Sequence, residues 1–193
     1  SGRMIRFVGD HQMFWNPCWA WIMRDYAFPG PFDKCVSTLR NGEILAIAPG
    51  GAREMFFATR RYEVMWNQRT GFARVAREAA VDLIPVFTRN IRHMVWVPEY
   101  FQKLVAPFYE RCRLPLLPMV GGFPVKLTTF IGKPVPVDCA DSEKMLAERT
   151  AQAMEALIAE KQNMSLSIVG AIFERFLCAS DSDDKCLRFT KNQ

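Results

Sequence analysis

Ile44-Leu45-Ala46-Ile47-Ala48-Pro49-Gly50-Gly51-Ala52-Arg53-Glu54 opens as an unbroken apolar run and closes as a glycine turn with two charges behind it. Asn41-Gly42 precedes the run and Pro49-Gly50 follows it, so residues 43–48 read as a short buried strand between two turn signals. In open α/β sheets ligands settle beyond the carboxyl ends of strands. The two glycines allow backbone N–H groups close to a ligand. Arg53 adds a planar fork for an anion or a carbonyl-rich ligand. On spacing alone, the same residues also describe a tight turn followed by a surface arginine.

The flanking sequence alternates strand and helix. Residues 3–8 are β-branched and aromatic and read as a strand ending at Gly9-Asp10. Pro17 marks a helix start within 13–24, and residues 26–31 are extended. Residues 32–40 read as a helix opened by Asp33 and stopped by Asn41-Gly42. Residues 70–80 read as a helix and 81–87 as a further apolar strand. Residues 99–113 read as a helix, 121–124 as a turn and 125–131 as a strand. A helix capped by Asp141 or Ser142 runs to about 162, with an apolar stripe of Met145, Leu146, Ala153, Met154, Leu157 and Ile158. A second amphipathic helix covers 166–177, and a polar tail follows from 180. This order implies an α/β sheet covered by helices.

Composition narrows the function. Half of the 193 residues are apolar and 12% are aromatic, which suits a packed core and not a disordered chain. The net charge is +5, and it is uneven: residues 1–140 hold 18 Lys and Arg against 11 Asp and Glu, while 141–193 hold 7 against 9. A basic body suits nucleic acid, an anionic membrane or a phosphate-bearing ligand. No DNA- or RNA-binding module motif appears, so nucleic acid is not the expected partner. Six cysteines lie scattered, with no C-x-x-C and no histidine at ligand spacing. That argues against a zinc site or a disulfide framework and for reduced thiols. No run approaches the ~18 apolar residues of a membrane-crossing helix, and no signal peptide opens the chain.

Taken with Arg69-Thr70-Gly71-Phe72-Ala73-Arg74-Val75-Ala76, Leu83-Ile84-Pro85-Val86-Phe87-Thr88-Arg89-Asn90, Gly121-Gly122-Phe123-Pro124 and Gly132-Lys133-Pro134-Val135, the glycine turn resembles the glycerolipid acyltransferase superfamily. Within it the likeness is to the transmembrane protein 68 group and, beside that, the type 2 diacylglycerol acyltransferases. It runs from about Arg3 to Phe176. The family's third block commonly reads Pro-Glu-Gly-Thr-Arg; here it is Pro49-Gly50-Gly51-Ala52-Arg53, a form similar to the neutral-lipid branch. The second block falls on Gly30-Pro31-Phe32-Asp33-Lys34-Cys35, with Phe32 where relatives more often carry a basic residue. The fourth block's proline falls on Pro85. The resemblance therefore implies substrate-binding roles for Gly50, Gly51, Arg53, Glu54, Gly30 and Pro85. It implies acyl-CoA as co-substrate with no bound cofactor, a mono- or diacylglycerol acceptor, triacylglycerol as product, and an endoplasmic reticulum membrane setting. A lysophospholipid acceptor is the alternative.

The family's catalytic pair is a histidine and an aspartate separated by four residues: the imidazole takes the acceptor's hydroxyl proton and the carboxylate fixes its tautomer. Here His11 is followed five positions later by Asn16, and His93 by Pro98. Both histidines are expected to be structural. No catalytic residue and no metal ligand is assigned within the chain. The pair, and the family's membrane helices, are expected upstream of Ser1. Residues 1–178 then form an acyltransferase domain lacking its first block, and 179–193 a polar tail. A non-catalytic, membrane-associated lipid-binding product is the competing expectation. Cys18, Cys35 and Cys112 lack a placed base, and Asp10, His11 and Asp25 have no spacing that forces them together. Arg60, Arg61, Arg69, Arg74 and Arg77 are a candidate surface for CoA phosphates or anionic headgroups. Trp15, Trp19 and Trp21 suit a core, with a membrane interface second.

Overall fold

β1 (Ile5–Gly9), β2 (Ala27–Pro29) and β3 (Ile44–Ala46) form a parallel sheet in the order β2-β1-β3. In this computed structural model the described residues are 3–9, 14, 17–59, 61–66, 68–96, 98–112, 120–138, 140–162 and 168–176. His11 and the tail from residue 180 lie outside them. β1 is shared between its neighbours: Ile5, Arg6 and Phe7 face Ile44, Leu45 and Ala46, while Phe7, Val8 and Gly9 face Ala27, Phe28 and Pro29. Helix α1 (Pro17–Met23) joins β1 to β2, and α2 (Phe32–Arg40) joins β2 to β3. The second crossover therefore passes β1, which lies between the two strands that follow it. Ligands of open α/β sheets bind beyond the carboxyl ends of the strands, here Gly9, Pro29 and Ala46. Arg6 fastens the strand: its Nε donates to Glu43 at 3.1 Å and its Nη1 to the Asp25 carbonyl at 2.8 Å.

The chain continues through α3 (Gly51–Phe57), α4 (Gly71–Ala79), β4 (Val86–Arg89), α5 (Ile91–Met94), β5 (Val95–Trp96), α6 (Glu99–Cys112), β6 (Val120–Gly121), β7 (Thr128–Ile131), α7 (Glu143–Lys161) and α8 (Ile168–Phe176). The expected α/β character holds, but the strands do not join one sheet. β4 pairs antiparallel with β7, and β5 with β6, as separate two-stranded units. The strand expected over 81–87 is interrupted. Leu83 makes a single bridge to Val135, and the regular strand begins only after Pro85, which has no N–H to donate to a ladder. β3 likewise stops at Ala46, short of the expected end at Ala48.

Among the described residues three apolar clusters carry the packing. One joins Phe28 of β2, Cys35 and Val36 of α2 and Val75 of α4. A second joins Phe72 and Ala73 of α4 to Val135 and to Leu146 and Ala147 of α7. A third joins Tyr62 and Phe87 to Leu157 and Ile158 of α7. Helix α4 serves two clusters because it buries Phe72, Ala73, Val75 and Ala76 on successive turns. The opposite face of the parallel sheet is open, with Phe7 49% and Ile44 44% exposed.

Local signals explain most boundaries. Ser142 caps α7 by accepting from the Met145 N–H at 3.2 Å. Met145 itself is exposed, contrary to its place in the expected stripe, and Ala147 and Thr150 are buried instead. Helix α2 starts after Pro31 without a side-chain cap, so Asp33 lies in its first turn and does not open it. Trp21, expected in the core, is 70% exposed. Among the described residues no helix is long and apolar enough to cross a membrane.

Candidate functional site

The 47–53 segment leaves the carboxyl end of β3 and turns straight into α3. Gly51 has φ +58°, a conformation L residues avoid, and its N–H donates to the Ala48 carbonyl at 3.0 Å. Gly50 is glycine for a different reason. Its φ of −70° and ψ of −24° suit any residue, but a Cβ there would overlap both the Cβ and the carboxylate of Glu54. Arg53 follows on the first turn of α3 and is half-buried.

The arginine that holds the turn is not Arg53 but Arg69. Its Nη1 donates to the Pro49 carbonyl at 3.0 Å and to the Gly50 carbonyl at 3.3 Å. It also lies 3.1 Å from where a Gly51 Cβ would sit. The expected arginine cluster thus has divided duties. Arg77 donates to Glu143 at 3.2 Å. Arg74 lies 4.4 Å over the Phe32 ring and so brings a cation to the second-block position where Phe32 stands. Arg61 is exposed, and Arg60 lies outside the described residues.

Glu54 turns inward. Burial pushes its carboxyl above the usual range, opposed by the Arg92 charge and by a hydrogen bond from the Met65 backbone N–H. Arg92, on α5, donates from Nη1 to the carbonyls of Glu54 and Ala58, each at 3.4 Å. Burial lowers its own pKa, against the charges of Glu54 and Tyr62. The Tyr62 hydroxyl accepts from the Arg92 N–H at 3.2 Å and faces Nδ1 of His93 at 3.5 Å. His93 is 3% exposed and sits within the fold. The sequence reading did not single out Arg92 or Tyr62. Both stand in polar stretches, Arg60-Arg61-Tyr62-Glu63 and Arg89-Asn90-Ile91-Arg92-His93, where nothing marks them out.

The remaining expected site residues lie elsewhere on the scaffold. Gly30 immediately precedes α2, and a Cβ there would overlap Val8 Cγ1. Pro85 is buried; its carbonyl accepts from the Gly132 N–H at 2.8 Å, and its Cγ is 2.9 Å from where a Gly132 Cβ would sit. Cys35 is buried, and burial raises its thiol pKa despite Lys34 nearby, which suits packing and not nucleophilic attack. The side chains of Cys18 and Cys112 lie outside the described residues. A groove of about 360 Å³ beside α2 is lined by Phe32, Val36, Arg40 and Glu78 among others, and by no residue of the glycine turn. Among the described residues no cluster of His, Cys, Asp and Glu could hold a metal ion.

The acyltransferase family profile matches residues 1–89, which include β1, the glycine turn and the Arg69 that holds it. Residues 1–89 are thus similar to the acyltransferase family. The chain is 42% identical over 182 residues to a Homo sapiens protein named "DGAT1/2-independent enzyme synthesizing storage lipids". This covers 91% of the chain and 54% of the relative. The Mus musculus protein of the same name matches equally, at 42% over 182 residues, with 91% and 54% covered. The Gallus gallus protein is 40% identical over 185 residues, covering 94% of this chain and 54% of the relative. The chain thus spans about half the length of the curated relatives it matches. No solved structure matches it.

Proposed function

We propose that this chain provides the acceptor-binding part of an enzyme that transfers a fatty acyl group from acyl-CoA to a glycerolipid hydroxyl, with a mono- or diacylglycerol as acceptor. The observation that carries this reading is the glycine turn at the carboxyl end of β3, an edge strand of the parallel sheet, with Arg53 next in line. In the reaction the acceptor oxygen attacks the thioester carbonyl, a C–O bond forms, the C–S bond breaks, and the acceptor's proton ends on the released thiol. The 193 residues contain no histidine with an aspartate five positions on. In this reading their own contribution is to bind and orient: Arg53 grips ester carbonyls, while Gly50, Gly51 and Glu54 shape the turn. Gly30 and Pro85 hold the flanking elements in register. The printed name of the relatives, a storage-lipid enzyme, supports a neutral acceptor, as does the Gly-Gly form of the turn. An endoplasmic reticulum membrane as the site of action belongs to the same proposal, with the basic 1–140 segment facing anionic headgroups.

A lysophospholipid acceptor is favoured by one observation only: Arg53 remains in place and offers a phosphate-binding fork. Labelled acyl-CoA assayed with diacylglycerol, monoacylglycerol and lysophosphatidate separates the two. Arg53→Ala should raise the acceptor KM roughly 10- to 100-fold, the worth of one charge-assisted hydrogen bond of about 1.5–3 kcal/mol. Unfolding of the variant, with normal turnover by its folded fraction, would make Arg53 structural and remove it from the site.

A further inference from the structure

The turn at 49–53 is braced from behind by Met65 and Arg92, which lie outside the motifs that carry the acyltransferase resemblance. Three chain segments converge on Glu54: Gly50, whose missing side chain leaves room for it; Met65, whose N–H donates to its carboxylate; and α5, which supplies the Arg92 charge. Arg92 is 38 positions from Glu54 and lies beyond the stretch ending at Asn90, yet it also binds the last carbonyls of α3. Its Nε is buried and makes no hydrogen bond among the described residues. The guanidinium stacks over the Tyr62 ring at 5.6 Å. Both residues are half-buried, and partial desolvation of the two charges offsets their attraction. The raised Glu54 carboxyl and lowered Arg92 agree with that. What such a pair can do is fix geometry.

We propose that Glu54 and Arg92 form an internal brace that holds α3 and the glycine turn in place, with Gly50 present to admit it, so that Arg92 is a positioning residue for acceptor binding. This rests on the reading of the turn as the acceptor site. It also accounts for the departure from Pro-Glu-Gly-Thr-Arg: in this geometry residue 50 has no room for a side chain, and an acidic group occupies that space from position 54.

The test uses Arg92→Met, Arg92→Lys and Glu54→Gln in the 193-residue chain, read by amide hydrogen exchange. The reporters are Met65, which donates to the carboxylate, and Ala58, whose N–H donates to the Glu54 carbonyl at 3.1 Å. Arg92→Met should lower protection at both by about tenfold, the loss of a charge-assisted contact, while amides of α7 keep theirs. Arg92→Lys should recover part of it. If Arg92→Met does not fold, Glu54→Gln carries the test through Met65 alone. Unchanged protection at Met65 and Ala58, or an equal fall across α7, would overturn the brace. In acyl-transfer assays the same variants, placed in an enzyme that also carries the histidine–aspartate pair, should raise the acceptor KM and leave kcat in place. An unmutated enzyme of that kind that transfers no acyl group would defeat the proposed function, and the exchange data would still decide the brace.

Discussion

Gly50 and Glu54 show how far a single residue's role can differ from its motif. Read as sequence, a Gly-Gly pair invites a ligand to the backbone; in the fold, one glycine makes a left-handed turn and the other makes room for a carboxylate. That carboxylate leaves a trace in the pH dependence of stability. Burial raises the Glu54 pKa in the folded chain above its ordinary value of 4.5, with Arg92 opposing. The folded state therefore holds its proton to higher pH than the unfolded chain does. Stability from this group is complete below the ordinary value and is lost as pH rises through the raised one. Denaturant unfolding of wild type and Glu54→Gln across that window should show a downward slope in the wild type that the variant lacks. Arg92, Tyr62 and the turn-holding Arg69 remain in both proteins, so they cancel in the comparison. A wild-type slope of opposite sign would mean that the Arg92 charge outweighs burial.

At the scale of elements, the β4–α5 corner depends on one residue. Asn90 is 1% exposed, with φ +63°. Its N–H donates to Gln162 Oε1 at 3.1 Å, its Nδ2 to the Lys126 carbonyl at 3.1 Å, and its Oδ1 accepts from Gln162 Nε2 at 3.3 Å. It thereby pins the start of α5, and so Arg92, to the end of α7. Asn90→Ala should cost about 2–4 kcal/mol from unpaired buried polar groups and left-handed strain together. Asn90→Gly removes the strain and should cost about 1 kcal/mol less; chemical denaturation of both variants measures the gap, and equal losses would remove the backbone from the argument. Elements with a periodic apolar face, α2, α4 and α7, were legible in the sequence to within a residue or two. The short ones were not. Helices α3 and α5 and strands β5 and β6 have too few residues for a period, and their form is imposed by partners such as Arg92 and Asn90.

For the whole molecule, alternation of strand and helix announced an α/β protein, and the turn after β3 could be placed at a sheet edge in advance. The division into three small sheets could not, because strand partners are set by contacts distant in sequence: β4 meets β7 across 41 positions at Thr88 and Thr129. The glycine turn was legible as a motif, whereas its bracing by Arg69, Arg92 and Tyr62 depends on the fold. What joins the parallel sheet to the β4–β7 pair is α4 together with α7. One side of α4 packs on the parallel sheet through Val75, another on α7 through Phe72 and Ala73, and α7 reaches the β4–β7 pair through Leu157 and Ile158. Leu146 stands at the crossing with 0% exposure. Leu146→Ala should cost about 2–5 kcal/mol, the usual price of a leucine-sized core cavity. Against a typical domain stability of about 5–15 kcal/mol that is a large fraction. Because the clusters share helices, the loss should not stay local. Exchange protection in β1 and in β4 should fall together with that of α7, and unfolding should remain a single transition by fluorescence and by circular dichroism. If β1 keeps its protection while α7 loses it, the parallel sheet folds as a unit of its own, and α4 does not transmit stability between the clusters.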